Sequence, residues 1–261
     1  MSSADDSRDS EDNSDDWDFY PCRVDDQAAS IFLNLRYERE EPPARADTLY
    51  WLRIHMKDAD HHGMGSSAEA DVLFPVEDTL VERAAAQELV YVARLRSHGR
   101  WELTFYGPSN CASALSVVAG ETELDGRQFE VLSQPDGRWG YYRDFLLPDD
   151  ERRQWMQDRR VVDVLQDHGD RLSTPRRVDH WIYFRSSESR QAFIEAATPL
   201  GFALQGSSDH DDSARPFGVQ MFRTDAVDLE HIHSVVMELF ALAQRHTGDY
   251  DGWECPVEAD E

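Results

Sequence analysis

Apolar and polar positions alternate along several short stretches of the chain and recur at helical spacing along others, and the two periods predict a mixed α+β protein. Structure is expected to begin near Trp17, where WDFYPCRVDD leads into residues 29–37. There Ile31, Leu33 and Leu35 alternate with Phe32, Asn34 and Arg36 in a strand pattern. Residues 48–58 repeat the alternation through Leu49, Trp51 and Ile54, and the turn-rich EREEPPARAD between the two stretches predicts an antiparallel pair. A glycine-containing loop follows at 58–67. Val72, Leu73, Val76, Leu80 and Val81 then fall at helical spacing, with Pro75 expected to start or kink that helix. Two strands flank a hairpin turn at His98 and Gly99. A helix over 109–120 is predicted with Ser109 as its cap and Gly120 at its close, and RQFEVLSQ reads as a last strand.

The segment from Pro135 carries a charged helix after Pro148 and is expected to link two halves, with 150–174 as the linker proper. Beyond it, RVDHWIYFRS alternates like a strand. SESRQAFIEAATPLG offers a serine cap, Phe193, Ile194 and Ala197 on one face, and a terminal Gly201. FALQGS and FGVQMFRTDA read as strands, and DLEHIHSVVMELFALAQRHTG as a long amphipathic helix. Asp228 at its start and Arg245 and His246 at its end match the helix dipole. YDGWECPV closes the order βαββαβ, a ferredoxin-like unit. From residue 47 the first half runs strand, helix, strand, strand, helix, strand, preceded by one extra strand. Both halves therefore predict two helices packed on an antiparallel sheet. A distant duplication would explain that, although no aligned motif supports it.

Length agrees with this division, because 261 residues exceed one ordinary domain. The expected layout is a disordered acidic tail (1–16), a first domain (17–149), the helical linker, a second domain (175–257) and a short acidic end (258–261). Charge narrows the partners: 52 acidic against 26 basic residues give −26. Phosphate repels such a chain, so nucleic acid is not the expected direct partner. The one concentration of base is Arg152, Arg153, Arg159 and Arg160, which reads as a solvated helix face. A basic protein surface is what this charge attracts. There is no apolar run of the roughly 18 residues that would span a bilayer and no leader-like N-terminus, so a cytoplasmic chain without a membrane partner is expected. Cys22, Cys111 and Cys255 form no CxxC pair and are expected as reduced structural thiols.

At residues 178–254, VDHWIYF, a helix ending in LGF, VQMFRTD, a long helix and GDYDGWE together resemble the RraB family, named for inhibiting ribonuclease E. The most specific element is Gly248–Trp253. The resemblance implies a non-enzymatic regulator that binds the arginine-rich, non-catalytic portion of the ribonuclease. Residues 17–149 resemble the bacterial domain of unknown function numbered 695. That likeness rests on Gly63 and Gly65, on WELTFYG, and on Asp136, Trp139, Tyr142, Leu146 and Pro148. It implies a fold and no chemistry.

Candidate chemistry is sparse. Asp58, Asp60, His61 and His62 form the densest ligand-type cluster. Adjacent histidines in an extended loop rarely share an ion, and no third separated histidine accompanies them, so a solvated loop is expected and no metal or other cofactor. Asp209–Asp212 lack the glycine and distal glutamate of a calcium loop. His231 and His233 are two apart on a helix and face different ways. His180 reads as a satisfied strand histidine, and no nucleophile elbow or phosphate loop is present. In Tyr250, Asp251, Trp253 and Glu254, the Asp-Gly turn and a core-roofing Trp253 are weighed against a protein interface. In that interface Tyr250 or Trp253 would anchor, and Asp251 and Glu254 would meet arginines. A scaffold unrelated to ribonucleases, and a metal-dependent hydrolase centred on 58–62, are the rival readings.

Overall fold

The computed structural model describes residues 15–59, 63–209 and 214–259, and divides into two compact units, Met1–Arg152 and Arg153–Glu261. The first unit contains β1 (Trp17–Val24), β2 (Gln27–Asn34), β3 (Thr48–His55), α1 (Ser67–Ala85), β4 (Val90–Ser97), β5 (Arg100–Gly107), α2 (Ala112–Gly120) and β6 (Phe129–Pro135). Its strands form one antiparallel sheet in the order β1-β2-β4-β5-β3-β6. Inward-facing Tyr50, Leu52, Trp101, Leu103 and Phe105 pack against Leu73 and Leu80 of α1 and Leu115 and Ala119 of α2. The opposite face is covered by a short π-helical segment, Tyr141–Leu146, preceded by the buried Trp139. Trp139 stacks on Tyr106 with ring centroids 4.1 Å apart, and its Nε1 donates to the Ala46 carbonyl at 2.7 Å.

Four sequence expectations change here. WDFYPCRV is a strand of its own, paired with β2 through a tight turn at Asp25 and Asp26, both at positive φ. Residues 29–37 pair with β1 and β4 rather than with β3, and Leu35 already lies in a 3-10 turn. Helix α1 starts eight residues before Pro75, capped by Ser66, whose Oγ accepts from Glu69 N–H at 3.2 Å. Pro75 is tolerated within it because both Pro75 and Asp71, whose carbonyl loses its donor, are exposed to water. The buried stripe is Leu73, Glu77, Leu80 and Ala84, while Val72 is exposed. Finally, Cys111 rather than Ser109 occupies the N-cap of α2, without a side-chain bond.

The division between units falls within α3 (Asp150–Asp167). This helix, expected as linker, places Val162 and Leu165 in the core of the second unit. That unit continues with β7 (Arg176–Phe184), α4 (Ser187–Ala197), β8 (Ala203–Asp209), β9 (Phe217–Asp225), α5 (Leu229–Arg245) and β10 (Gly248–Glu254). Ser186 and Asp228 cap α4 and α5 through bonds of 3.1 Å to the third residue on, each worth ~1 kcal/mol. Gly201 ends the α4 segment at φ +92°. The antiparallel sheet runs β10-β7-β9-β8, which is fourth-first-third-second in strand order. In the first unit β6, β3, β5 and β4 stand in that same relation, with the β1–β2 hairpin added beside β4. The two units thus share one βαββαβ topology, which is what the matching order of strands and helices in the sequence predicts.

Candidate functional site

The motif Gly248-Asp-Tyr-Asp-Gly-Trp253 folds as edge strand β10, and each glycine in it has a geometric reason. A Cβ on Gly248 would lie 2.3 Å from the Phe184 ring, so only glycine lets the strand start there. Gly252 adopts φ +150°, and the register against β7 slips between Tyr250 and Gly252, which is a β-bulge. The bulge resets the side-chain alternation. Tyr250 and Trp253, both under a tenth exposed, point inward, and Asp249, Asp251 and Glu254 point out to solvent.

On the inner side the two aromatics end in polar partners. The Tyr250 hydroxyl and His180 Nδ1 are 2.8 Å apart. Trp253 Nε1 donates at 3.0 Å to Asp158 of α3, a fully buried carboxylate that also accepts from Gln154 at 2.9 Å and faces His233 Nδ1 at 2.8 Å. Burial drives the His180 pKa from its usual 6.5 down to about 4 and raises that of Tyr250. His180 Nε2 has no partner among the described residues, so the expected satisfied histidine is bonded at one nitrogen only. His231 pairs with Asp225 at 3.0 Å and His233 with Asp158, so the two histidines are held apart. His180 with Tyr250 and His233 with Asp158 thus form two separate pairs on the inner side of the sheet, while His231 meets Asp225 at the exposed start of α5.

The outer side of the same sheet carries what the motif alone did not reveal. Because Val178, His180, Ile182 and Phe184 face the helices, Arg177, Asp179, Trp181 and Tyr183 face the other way, and Phe222 of β9 joins them. All three aromatics are half-buried. Trp181 is paired with Gln220 on one side and Gly252 on the other, and a Cβ on Gly252 would meet nothing within 4 Å. An open slot therefore lies beside Trp181, next to the exposed Asp251 and Glu254. Tyr183 lies over Gly218, where a Cβ would come within 3.0 Å of its ring. Arg177 stacks over Phe222 at 4.0 Å from the ring centroid while its Nε and Nη2 fork onto Asp179 at 2.8 and 2.6 Å. That guanidinium holds the Asp179 carboxyl below its usual range. Of the expected interface residues, then, Asp251 and Glu254 are on the open face and Tyr250 and Trp253 are beneath it. Trp181, Tyr183 and Phe222 were readable only as alternating strand residues, since WIYF is apolar on both faces.

The weak metal candidates Asp60, His61 and His62 lie outside the described residues, as do His210, Asp211 and Asp212. Among the described residues no group of three or more His, Cys, Asp and Glu side chains is placed to hold a metal ion, and no helix is long and apolar enough to cross a membrane.

Comparison with known proteins bears on each unit. The family model "Regulator of ribonuclease activity B" matches residues 155–255, which aligns the second unit with ribonuclease regulators at the family level. The model "Family of unknown function (DUF695)" matches residues 15–147. No curated protein matches the chain. Among solved structures, "Crystal structure of putative glycine cleavage system transcriptional repressor" is 8% identical, covering 80% of this chain and 98% of its own, with a TM-score of 0.23. An unknown protein from Galdieria sulphuraria is 10% identical, covering 81% and 99%, with a TM-score of 0.22. Superpositions this loose carry no argument.

Proposed function

We propose, for a chain that belongs to the DUF695 family of unknown function, that its second unit makes it a non-enzymatic regulator which modulates a ribonuclease E-type endoribonuclease by binding that enzyme's basic, non-catalytic region. The observation that carries this reading is the match of residues 155–255 to regulators of ribonuclease activity. The chemistry of the unit supports it. Its ionisable interior groups, Asp158, His180, His233 and Tyr250, bond to one another in the core. Its exposed carboxylates on β10 suit a positively charged protein, as does the net charge of −26. The first unit docks or senses something of its own.

The test is RNA cleavage by a purified ribonuclease E-type enzyme with and without this chain, using the full-length enzyme and a version lacking the basic region. Slower cleavage by the full-length enzyme alone is expected. Unchanged rates, together with no co-elution of the two proteins, would remove the reading.

A further inference from the structure

We propose that the helix-free face of the second unit's sheet, centred on Trp181 and the slot beside Gly252, docks an arginine-bearing segment of a protein partner. The inference rests on the reading above only in taking the partner to be a protein. Three observations carry it.

The first is shape. Trp181 sits on a central strand directly across from Gly252, where an added Cβ would meet nothing within 4 Å, so open space for a planar group lies beside this half-buried residue. The second is charge. Asp251 and Glu254, next to that slot, are exposed and have no basic partner among the described residues, whereas Asp249 already meets Arg215 at 3.3 Å and Asp179 meets Arg177. Two carboxylates without a basic partner among the described residues, set beside Trp181, attract a cation. The third is precedent within the same face. Arg177 stacks on Phe222 and forks onto Asp179, which is the pose that an incoming guanidinium would take on Trp181 with Asp251 or Glu254. Guanidinium suits this pose better than ammonium, because it is planar, stacks on aromatic faces and binds carboxylates two bonds at a time. Half-buried aromatics on such a sheet could also stack nucleic-acid bases, but the surrounding carboxylates repel phosphate.

The experiment measures binding of a fluorescent arginine–serine peptide to the full chain, against a lysine–serine peptide of equal length and an oligouridylate. The arginine peptide is expected to bind most tightly, with affinity falling as salt rises. Trp181→Ala is expected to weaken it roughly tenfold. The exposed pair Asp251→Asn with Glu254→Gln, which leaves the core untouched, is expected to weaken it severalfold. Equal binding of the arginine peptide by the parent chain and both variants would overturn the proposal. So would binding of the oligouridylate that depends on Trp181.

The same variants separate this inference from the regulatory one. If Trp181→Ala slows the ribonuclease as well as the parent chain does, the docking face is wrong and the regulatory reading stands. If the parent chain holds the peptide through Trp181 and leaves the ribonuclease untouched, the face stands and the regulatory reading falls.

Discussion

Tyr250 and Trp253 are three residues apart on one strand and still enter the same core, because the bulge between Tyr250 and Gly252 turns the strand over at that point. The bulge depends on φ +150° at Gly252, a region closed to residues with a Cβ. A Cβ there would touch nothing, so Gly252→Ala isolates the backbone cost, expected at roughly 1–3 kcal/mol in urea unfolding. Gly248→Ala acts by a different route, forcing Phe184 aside at a similar cost of about 1–3 kcal/mol. An unchanged urea midpoint for Gly252→Ala would show that the strand turns without its glycine.

Trp253→Phe keeps an aromatic ring in the core and removes the pyrrole half of the indole together with its one donor. Asp158 is fully buried, so losing the indole N–H leaves its carboxylate, among the described residues, with Gln154 and His233. The expected destabilisation is about 1–3 kcal/mol. His233→Ala removes another partner of the same carboxylate, and the two losses should not add in a double-mutant cycle. Strict additivity would mean that Asp158 does not couple them.

His180 predicts an acid dependence with a definite sign. The unfolded chain takes up a proton on this histidine near 6.5, and the folded chain resists until about 4. Stability held by the neutral ring is therefore complete above 6.5 and is lost as pH falls between those values, by about 3 kcal/mol in all. The paired carboxylates whose pKa values lie low, among them Asp170, Asp179 and Asp225, act further down the scale. Urea midpoints at pH 7 and pH 4.5 should differ markedly for the parent chain and less for His180→Gln. Equal slopes in the two chains would show that burial does not hold His180 neutral.

The second unit was legible in the sequence because its punctuation is local. Ser186, Asp228 and Gly201 end elements by bonds to their own neighbours, and the strand–helix order followed from them. The first unit hid two things. Asp25-Asp26 makes a hairpin turn without the glycine that usually announces one, so β1 was read as a lead-in. The sheet order, in which β2 lies beside β4 and not β3, is set by pairings across sixty residues that no local period records. Ser66 and Glu69 did carry a capping signal for α1, and Pro75 overshadowed it. At the site, alternation placed Trp181 and His180 on opposite faces. Only the helices' positions show which of those faces is open.

Glu77 supplies the sharpest test in the first unit. It stands on the buried stripe of α1 where a hydrophobic residue is expected, and it accepts from Trp101 Nε1 at 2.6 Å, the Tyr91 hydroxyl at 2.7 Å and Arg94 at 3.1 Å. The Arg94 guanidinium is itself enclosed by Phe32, Phe74 and Trp101, each with its ring centroid under 5 Å away. Glu77→Ala would leave that cation buried among rings without its counter-charge, at an expected cost of about 3–5 kcal/mol. Glu77→Gln keeps an acceptor for the indole and the hydroxyl and should lose distinctly less. Replacing both members, Glu77→Leu with Arg94→Met, removes the charge problem altogether and should recover much of the loss. Calorimetry of the full chain, following the transition assigned to the first unit, ranks the three variants. A double replacement less stable than Glu77→Ala would mean that the ion pair stabilises the fold beyond what hydrophobic packing can replace.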